Sequence, residues 1–337
     1  MNALIAAAIL APPPSFEPLA KQLVADRVVP GVAIAVQRNG KMVYGRGFGA
    51  QNLETNTGMT LDSVHEMASV SKQFTATAIL QLVAAGKLKL TDSICDLLPT
   101  APESWRPVTI HHLLSHTGGL ADYIGSGNLA LTTSEQAQIV ALKDKPVRFA
   151  PGAKFEYSNT GYMLLGAIVA NVTKRPFGDV LKSDVFAKAG MTKATIANPE
   201  AIIPNRAMGY QWSGSQWRNE QYVHAKWSAF GDGMVMASAR DLLRWHNALR
   251  TDAVLPANMR KLAWTSHSDG SYGYGWAINR PGLQGRVFHT GGWVGTTTIV
   301  VSDFERNDCA VILINTDRRD QKIGQLHEAV IRWMDAQ

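Results

Sequence analysis

A chain of 337 residues is long enough for about two domains or one large composite fold. Hydrophobic residues at 46% against 18% charged, with a mean hydropathy of −0.07, exclude disordered, collagen-like and coiled-coil chains. The formal charge of +6 comes from scattered lysines and arginines, Arg318-Arg319 being the nearest thing to a run, so it speaks for solubility and against nucleic acid as a partner.

The longest purely apolar stretch, Ala3 to Pro14, falls far short of the roughly 20 residues that span a bilayer, so no integral membrane segment is expected. Residues 1–14 read as a signal-like or flexible N-terminus, although a basic n-region and a small-x-small cleavage site are missing. A periplasmic or secreted protein is the expectation, a cytoplasmic one the alternative.

From Phe16 to Arg27, Leu19, Leu23 and Val24 recur at helical spacing. Val32–Arg38 and Lys41–Gly47 then read as strands joined at Asn39-Gly40, the dipeptide suited to the two positive φ angles of a type I′ hairpin. Gly45, Gly47 and Gly49 imitate a dinucleotide loop, but no helix follows them, so a bent strand is expected and no cofactor.

Residues 63 to 210 are mostly helical and loop-rich. The run Glu66-Met67-Ala68-Ser69-Val70-Ser71-Lys72 opens a helix with Phe74, Ala78, Leu82 and Ala85 on its apolar positions and Gly86 as its stop. Ser69 at the helix start and Lys72 one turn later share a face, which permits an amine to meet a hydroxyl where the helix terminus favours negative charge. An isolated S-x-x-K is a weak signal whose usual reading is a helix cap. His112 and His116, four apart, lack a third ligand with matching spacing, so a structural pair is expected and no metal.

Further on, the turn-rich run Phe149 to Tyr162 leads into a helix over Met163–Val172, with Tyr157 and Asn159 alternating inside it. In an extended loop these two place a phenol and an amide on one side. A buried tyrosine with a turn asparagine is the plainer alternative. Trp212, Trp217, Tyr222 and Trp227 suggest either an aromatic wall or loop packing.

Near the C-terminus, Arg286–Phe288, Thr296–Ser302 and Cys309–Asn315 read as strands, followed by a helix with Ile323, Leu326, Val330 and Met334 on one face. After the first of these strands comes His289-Thr290-Gly291-Gly292. His289 and Thr290 are placed to face a carboxylate, and the glycines let backbone N–H groups approach an oxyanion. Cys95 and Cys309, the only cysteines, have no ligand set around them, and a disulfide is disfavoured.

The fold expected from these elements is α/β in the α+β sense: an antiparallel sheet flanked by the terminal helices, plus an inserted, mostly helical lobe. Residues 15–62 and 225–337 would build the sheet, and 63–224 the insert, with a site in the cleft between them.

S-x-x-K, then Y-x-N, then H-T-G resembles the penicillin-recognising serine hydrolases: class C β-lactamases, serine DD-peptidases and their esterase and D-aminopeptidase relatives. Leu113 to Leu120, Gly231-Asp232-Gly233-Met234 and Ser238-x-x-Asp241 support the likeness, which covers about residues 16 to 335. The resemblance implies a β-lactamase/transpeptidase-like fold and a serine hydrolase acting through an acyl-enzyme on an ester or amide of a small molecule or peptide. It implies Ser69 as nucleophile, Lys72 as activating partner, Tyr157 as proton shuttle, Asn159 as a substrate contact, and the N–H groups of Ser69 and Gly292 as oxyanion hole. His289, Thr290 and Gly291 would be substrate-binding. His289 stands where class C β-lactamases carry lysine, which points toward DD-peptidase-like members. A catalytically retired member serving as a binding protein is the alternative. Neither metal nor cofactor is implied, and the loops 119–135 and 205–230 would set the substrate.

Overall fold

The computed structural model describes residues 14–124, 139–140, 142–198, 201–219, 231–278 and 281–336. Residues 1–13, Tyr222, Trp227 and most of the 119–135 loop beyond Ile124 lie outside them.

Helix α1 (Glu17–Ala25) opens the chain, with Pro18 in its first turn, and buries Ala20 and Leu23. Strands β1 (Gly31–Arg38) and β2 (Lys41–Asn52) follow. Their turn has φ of +47° at Asn39 and +76° at Gly40, the geometry that the dipeptide favours. Gly45, Gly47 and Gly49 all lie in β2. β3 (Thr57–Gly58) and β4 (His65–Glu66) lead to a 3-10 turn over Ala68–Ser71 and to helix α2 (Lys72–Ala84), which ends before Gly86.

α2 is buried nearly all round and lacks a polar face, as a helix through the middle of a domain must. Helix α5 (Asn159–Thr173) packs on it, and α3 (Ile94–Leu97), α4 (Ile110–Leu114) and α6 (Phe177–Val180) pack on α5, the last running on as a wider π-type turn over Leu181–Phe186 that also touches α2. α5 begins four residues before the expected Met163, because Ser158 caps it by accepting the Gly161 N–H.

Next come β5 (Thr195–Ile196), β6 (Tyr210–Trp212), β7 (Trp217–Asn219), β8 (Val235–Ala237), α7 (Ala239–Leu249) and α8 (Ala257–Ala263). The chain closes with β9 (Ala277–Ile278), β10 (Val287–Trp293), β11 (Thr296–Asp303), β12 (Asp308–Ile314) and α9 (Gln321–Asp335). Ile323, Leu326, Val330 and Met334 are the buried face of α9, as their spacing requires.

The main sheet runs β3-β2-β1-β12-β11-β10-β9. Head and tail of the chain meet in the antiparallel pair β1–β12, with Val32 opposite Ile314 and Gln37 opposite Cys309. On one face Val32, Ile34, Val36 and Ile312 pack with Phe16, Leu23, Leu326 and Val330 of the terminal helices. On the other, Ala33, Ala35, Val311 and Leu313 share a core with Phe74, Leu242, Trp245 and the helical half. Covered on both sides, β1 and β12 are buried along nearly their whole length and show no alternation over Val32–Val36 and Cys309–Ile314. Cys95 and Cys309 are both free thiols.

The mostly helical middle segment also carries short strands. A second sheet, β4-β8-β5, joins residues 65–66 and 195–196 to residues 235–237. The β6–β7 hairpin leans on the end of the main sheet, where Tyr210 N–H donates to the Asn315 carbonyl and Tyr210 OH accepts the Leu53 N–H. Strands of two or three residues carry no readable period, which hid them from pattern reading. Among the described residues no helix is long and apolar enough to cross a membrane.

Candidate active site

Ser69 lies in the 3-10 turn that opens α2, and other elements hold that turn from three sides. Ser71 Oγ accepts the Val235 N–H (3.0 Å), Met67 N–H donates to the Val235 carbonyl (2.8 Å), and Thr298 Oγ1 donates to the Met67 carbonyl (3.0 Å). Ala68 is forced to φ +45°, an uncommon conformation for a residue with a Cβ. β10 passes directly beneath. A Cβ on Gly291 would overlap the Met67 carbonyl oxygen and Thr298 Oγ1, so a glycine is what lets the strand lie against the turn.

Lys72 is wholly buried. Its Nζ donates to Ser69 Oγ (3.1 Å), Asn159 Oδ1 (2.9 Å) and the Asp232 carbonyl oxygen (2.8 Å). Three acceptors match the three protons of an ammonium. The faces of Tyr157 and Tyr162 lie 5.0 and 5.7 Å from the same nitrogen and add cation–π attraction.

Asn159 is the first residue of α5. Its N–H donates to Asp122 Oδ2 (2.6 Å), a carboxylate seated at the helix N-terminus. The expected pairing of Tyr157 with Asn159 is present, and both line one cavity of about 290 Å³ with Ser69 and Gly292. Tyr157 is 39% exposed, and its hydroxyl has no hydrogen-bond partner among the described residues.

The remaining wall includes Tyr123, Asp232 and Trp293. Tyr123 OH donates to Asp232 Oδ2 (2.6 Å). Burial raises the Asp232 carboxyl above the usual range, opposed by the charge of Lys72 and by the Tyr123 hydroxyl. A larger hollow of about 730 Å³ adjoins at Gly292 and Trp293 and is lined by Thr296, Thr297, Arg318 and Arg319.

The third motif is placed differently from the expectation. β10 does not stop at Phe288 but runs through to Trp293, so its residues alternate in direction. His289 is buried, with Nε2 on the Tyr272 hydroxyl (2.8 Å) and Nδ1 on the Thr290 carbonyl (2.7 Å), and it does not line the cavity. Thr290 is exposed outside the lining and Gly291 is a spacer beneath Met67, leaving Gly292 as the member of the motif at the cavity. His112 and His116 serve separate hydrogen bonds, Nδ1 of each accepting a main-chain N–H, from Thr109 and Ser158.

Sequence reading passed over Asp122, Tyr123 and the Asp232 side chain. The signal was present only as position: Asp122 and Tyr123 follow the Leu113–Leu120 run, and Asp232 sits between two glycines.

The family model described as Beta-lactamase matches residues 16–330. Penicillin-binding protein 4* of Bacillus subtilis (strain 168) is 28% identical over 311 residues, 85% of this chain and 68% of that protein. The D-amino acid amidase from Ochrobactrum anthropi SV3 superimposes with a TM-score of 0.81 at 24% identity, over 95% of this chain and 98% of that one. EstCE1, a hydrolase with promiscuous acyltransferase activity, gives 0.81 at 20%, over 94% and 97%. With the model match running from α1 into α9 and the same fold beneath it, the chain belongs to the beta-lactamase family.

Proposed function

We propose that the protein is a serine hydrolase that cleaves carboxylic esters or amides through an acyl-enzyme on Ser69. The observation that carries this is the 3.1 Å contact of Ser69 Oγ with a buried lysine at the wall of a cavity open to solvent. The likeness to a penicillin-binding protein, a D-amino acid amidase and a hydrolase with promiscuous acyltransferase activity supports the same reading.

Ser69 Oγ attacks the substrate carbonyl carbon, and the carbonyl π pair moves onto oxygen. The N–H groups of Ser69 and Gly292 receive that negative charge, at the start of α2 and on the cavity side of β10. The serine proton moves onto the Tyr157 oxygen as that hydroxyl, which is unengaged, hands its own proton on to the leaving oxygen or nitrogen, so the phenol stays neutral while Lys72 lies beside it. The C–O or C–N bond breaks as the leaving group takes that proton, and the oxyanion pair re-forms the carbonyl of the acyl-enzyme. Water then attacks the acyl-enzyme, and Ser69 regains its proton by the reverse path. Asn159 bonds Lys72 through Oδ1, and its amide NH₂, which reaches Asp122 Oδ2 at 3.5 Å with one proton, has a second proton for a substrate carbonyl.

A cavity of about 290 Å³ suits a small acyl group, with longer leaving groups reaching the adjoining hollow. The test is a panel of p-nitrophenyl esters, nitrocefin and D-alanyl peptides compared by kcat/KM, together with fluorophosphonate labelling and peptide mapping. A label confined to Ser69 with turnover of any of these supports the reading. An unlabelled protein, or a label on another serine, overturns it.

A further inference from the structure

His116 lies against the ring of Tyr157 in a loop that the reaction above does not use. Its φ is +58°, a conformation that costs a residue with a side chain, and it is 1% exposed. From this one residue two hydrogen bonds reach the peptide groups on either side of Tyr157. Glu156 N–H donates to the His116 carbonyl (2.8 Å), and Ser158 N–H donates to His116 Nδ1 (3.0 Å). The imidazole also stacks on the phenol, with centroids 4.3 Å apart and planes 33° from parallel, while Tyr272 packs on it at 4.5 Å.

Because Nδ1 accepts, the ring proton is on Nε2, and that nitrogen is buried with no hydrogen-bond partner among the described residues. The left-handed backbone ends α4, with His116 N–H on the Leu113 carbonyl and Thr117 N–H on the His112 carbonyl, whereas the orphan buried donor is a cost that packing alone does not call for.

We propose that His116 is a positioning residue for Tyr157: it clamps the main chain before and after Tyr157, supports the ring, and so aims the phenol at Ser69. The proposal rests on the function given above, in which Tyr157 carries the proton. The groups around the imidazole are Lys72, His289, Tyr157, Tyr162 and Tyr272. Burial, reinforced by Lys72 and His289, holds its protonation well below the ordinary range, so the Nδ1 lone pair stays available to Ser158 at neutral pH.

Alanine removes both the acceptor and the ring. Asparagine restores an acceptor near the Nδ1 position and tolerates positive φ. On a neutral p-nitrophenyl ester, His116→Ala is expected to lower kcat about 100-fold with KM changed less than about 3-fold, the scale of a misplaced catalytic group. His116→Asn is expected to return kcat to within about 5-fold of the wild type. In a Tyr157→Phe background His116→Ala is expected to cost less than about 3-fold, because the group it positions is already gone.

Equal losses in the two backgrounds, or asparagine no better than alanine, overturn the proposal alone. An unimpaired kcat in Tyr157→Phe overturns the role of Tyr157 and this proposal with it. If His116→Ala does not fold, imidazole ¹⁵N shifts of the wild type carry the test. An Nε2–H tautomer that does not titrate between about pH 5 and 8 supports the clamp, and an Nδ1–H tautomer or a titration near about 6.5 overturns it.

Discussion

Lys72 Nζ stands 3.1 Å from Ser69 Oγ, and the two partners that complete its shell, Asn159 and the Asp232 carbonyl, come from 87 and 160 residues further along the chain. One helical turn supplies the first contact and the tertiary fold the other two. The shell is matched to three diverging protons on one nitrogen, a geometry that a planar guanidinium does not offer. Lys72→Arg is therefore expected to lower kcat on the order of 10²-fold or more, nearly as far as Lys72→Ala, although the charge is kept. Steady-state kinetics of both variants check this. Arginine within about 3-fold of wild type would show that charge alone suffices.

Gly291 and Gly292 are neighbours with opposite demands. A Cβ at Gly291 meets the Met67 carbonyl and Thr298 Oγ1, neither of which can swing away, whereas a Cβ at Gly292 has nothing within 4 Å. Gly291→Ala is expected to cost about 1–3 kcal/mol by pushing β10 off the Ser69 turn, and Gly292→Ala to stay within about 0.5 kcal/mol of wild-type stability. Urea unfolding of the two variants side by side reads this out. Equal stabilities would mean that the strand gives way freely beneath Met67.

Where local spacing decides the structure, the sequence was readable to the residue. Asn39-Gly40, the apolar stripe of α9 and the one-turn step from Ser69 to Lys72 each depend on neighbours within a few positions. Tyr157 and Asn159 reach the same cavity for a similar reason, since Ser158 is extended and α5 starts immediately after it. What the sequence left unread depends on distant partners. The Tyr123–Asp232 bond joins positions 109 apart, and β4, β5 and β8 are strands only because each completes the others. His289 shows a third kind of limit: a strand pattern says that neighbours alternate, not which face Tyr272 will occupy.

Several buried histidines outside the site set an acid limit on the fold. Burial pushes the His65 imidazole down to about 3 and the His246 and His327 imidazoles down to about 4, against an ordinary value near about 6.5. Below about pH 6.5 the unfolded chain binds protons that the native state refuses, so stability is fully present above that pH and is lost as the pH falls toward the folded values. Between about pH 6.5 and 5 most carboxylates remain ionised, which isolates the histidine contribution. Unfolding free energy measured across that window is expected to fall with pH, and less steeply in His246→Gln. A slope unchanged by the substitution would assign the acid sensitivity to other groups.

The last expectation concerns what His289 does for a substrate carboxylate. A charged side chain at this position of the motif would favour anionic substrates, and an imidazole would lose that help as the pH rises through about 6.5. The geometry argues otherwise: both ring nitrogens are engaged inside the protein, on Tyr272 and the Thr290 carbonyl, and the ring is absent from the cavity wall. A carboxylate beside Ser69 then finds no contact with His289; the nearest basic group is Lys72, 3.1 Å from Ser69 Oγ, and Arg318 and Arg319 line the adjoining hollow. KM for a carboxylate-bearing ester and for its neutral analogue are therefore expected to keep a constant ratio between about pH 5.5 and 8. His289→Gln should leave that ratio unchanged while lowering stability, because the imidazole's bonds to the Tyr272 hydroxyl and the Thr290 carbonyl are lost in a buried site. Parallel pH profiles of the two substrates in the wild type and the variant decide the matter. A ratio that climbs with pH in the wild type and is flat in His289→Gln would place the histidine's charge in the binding of anions after all.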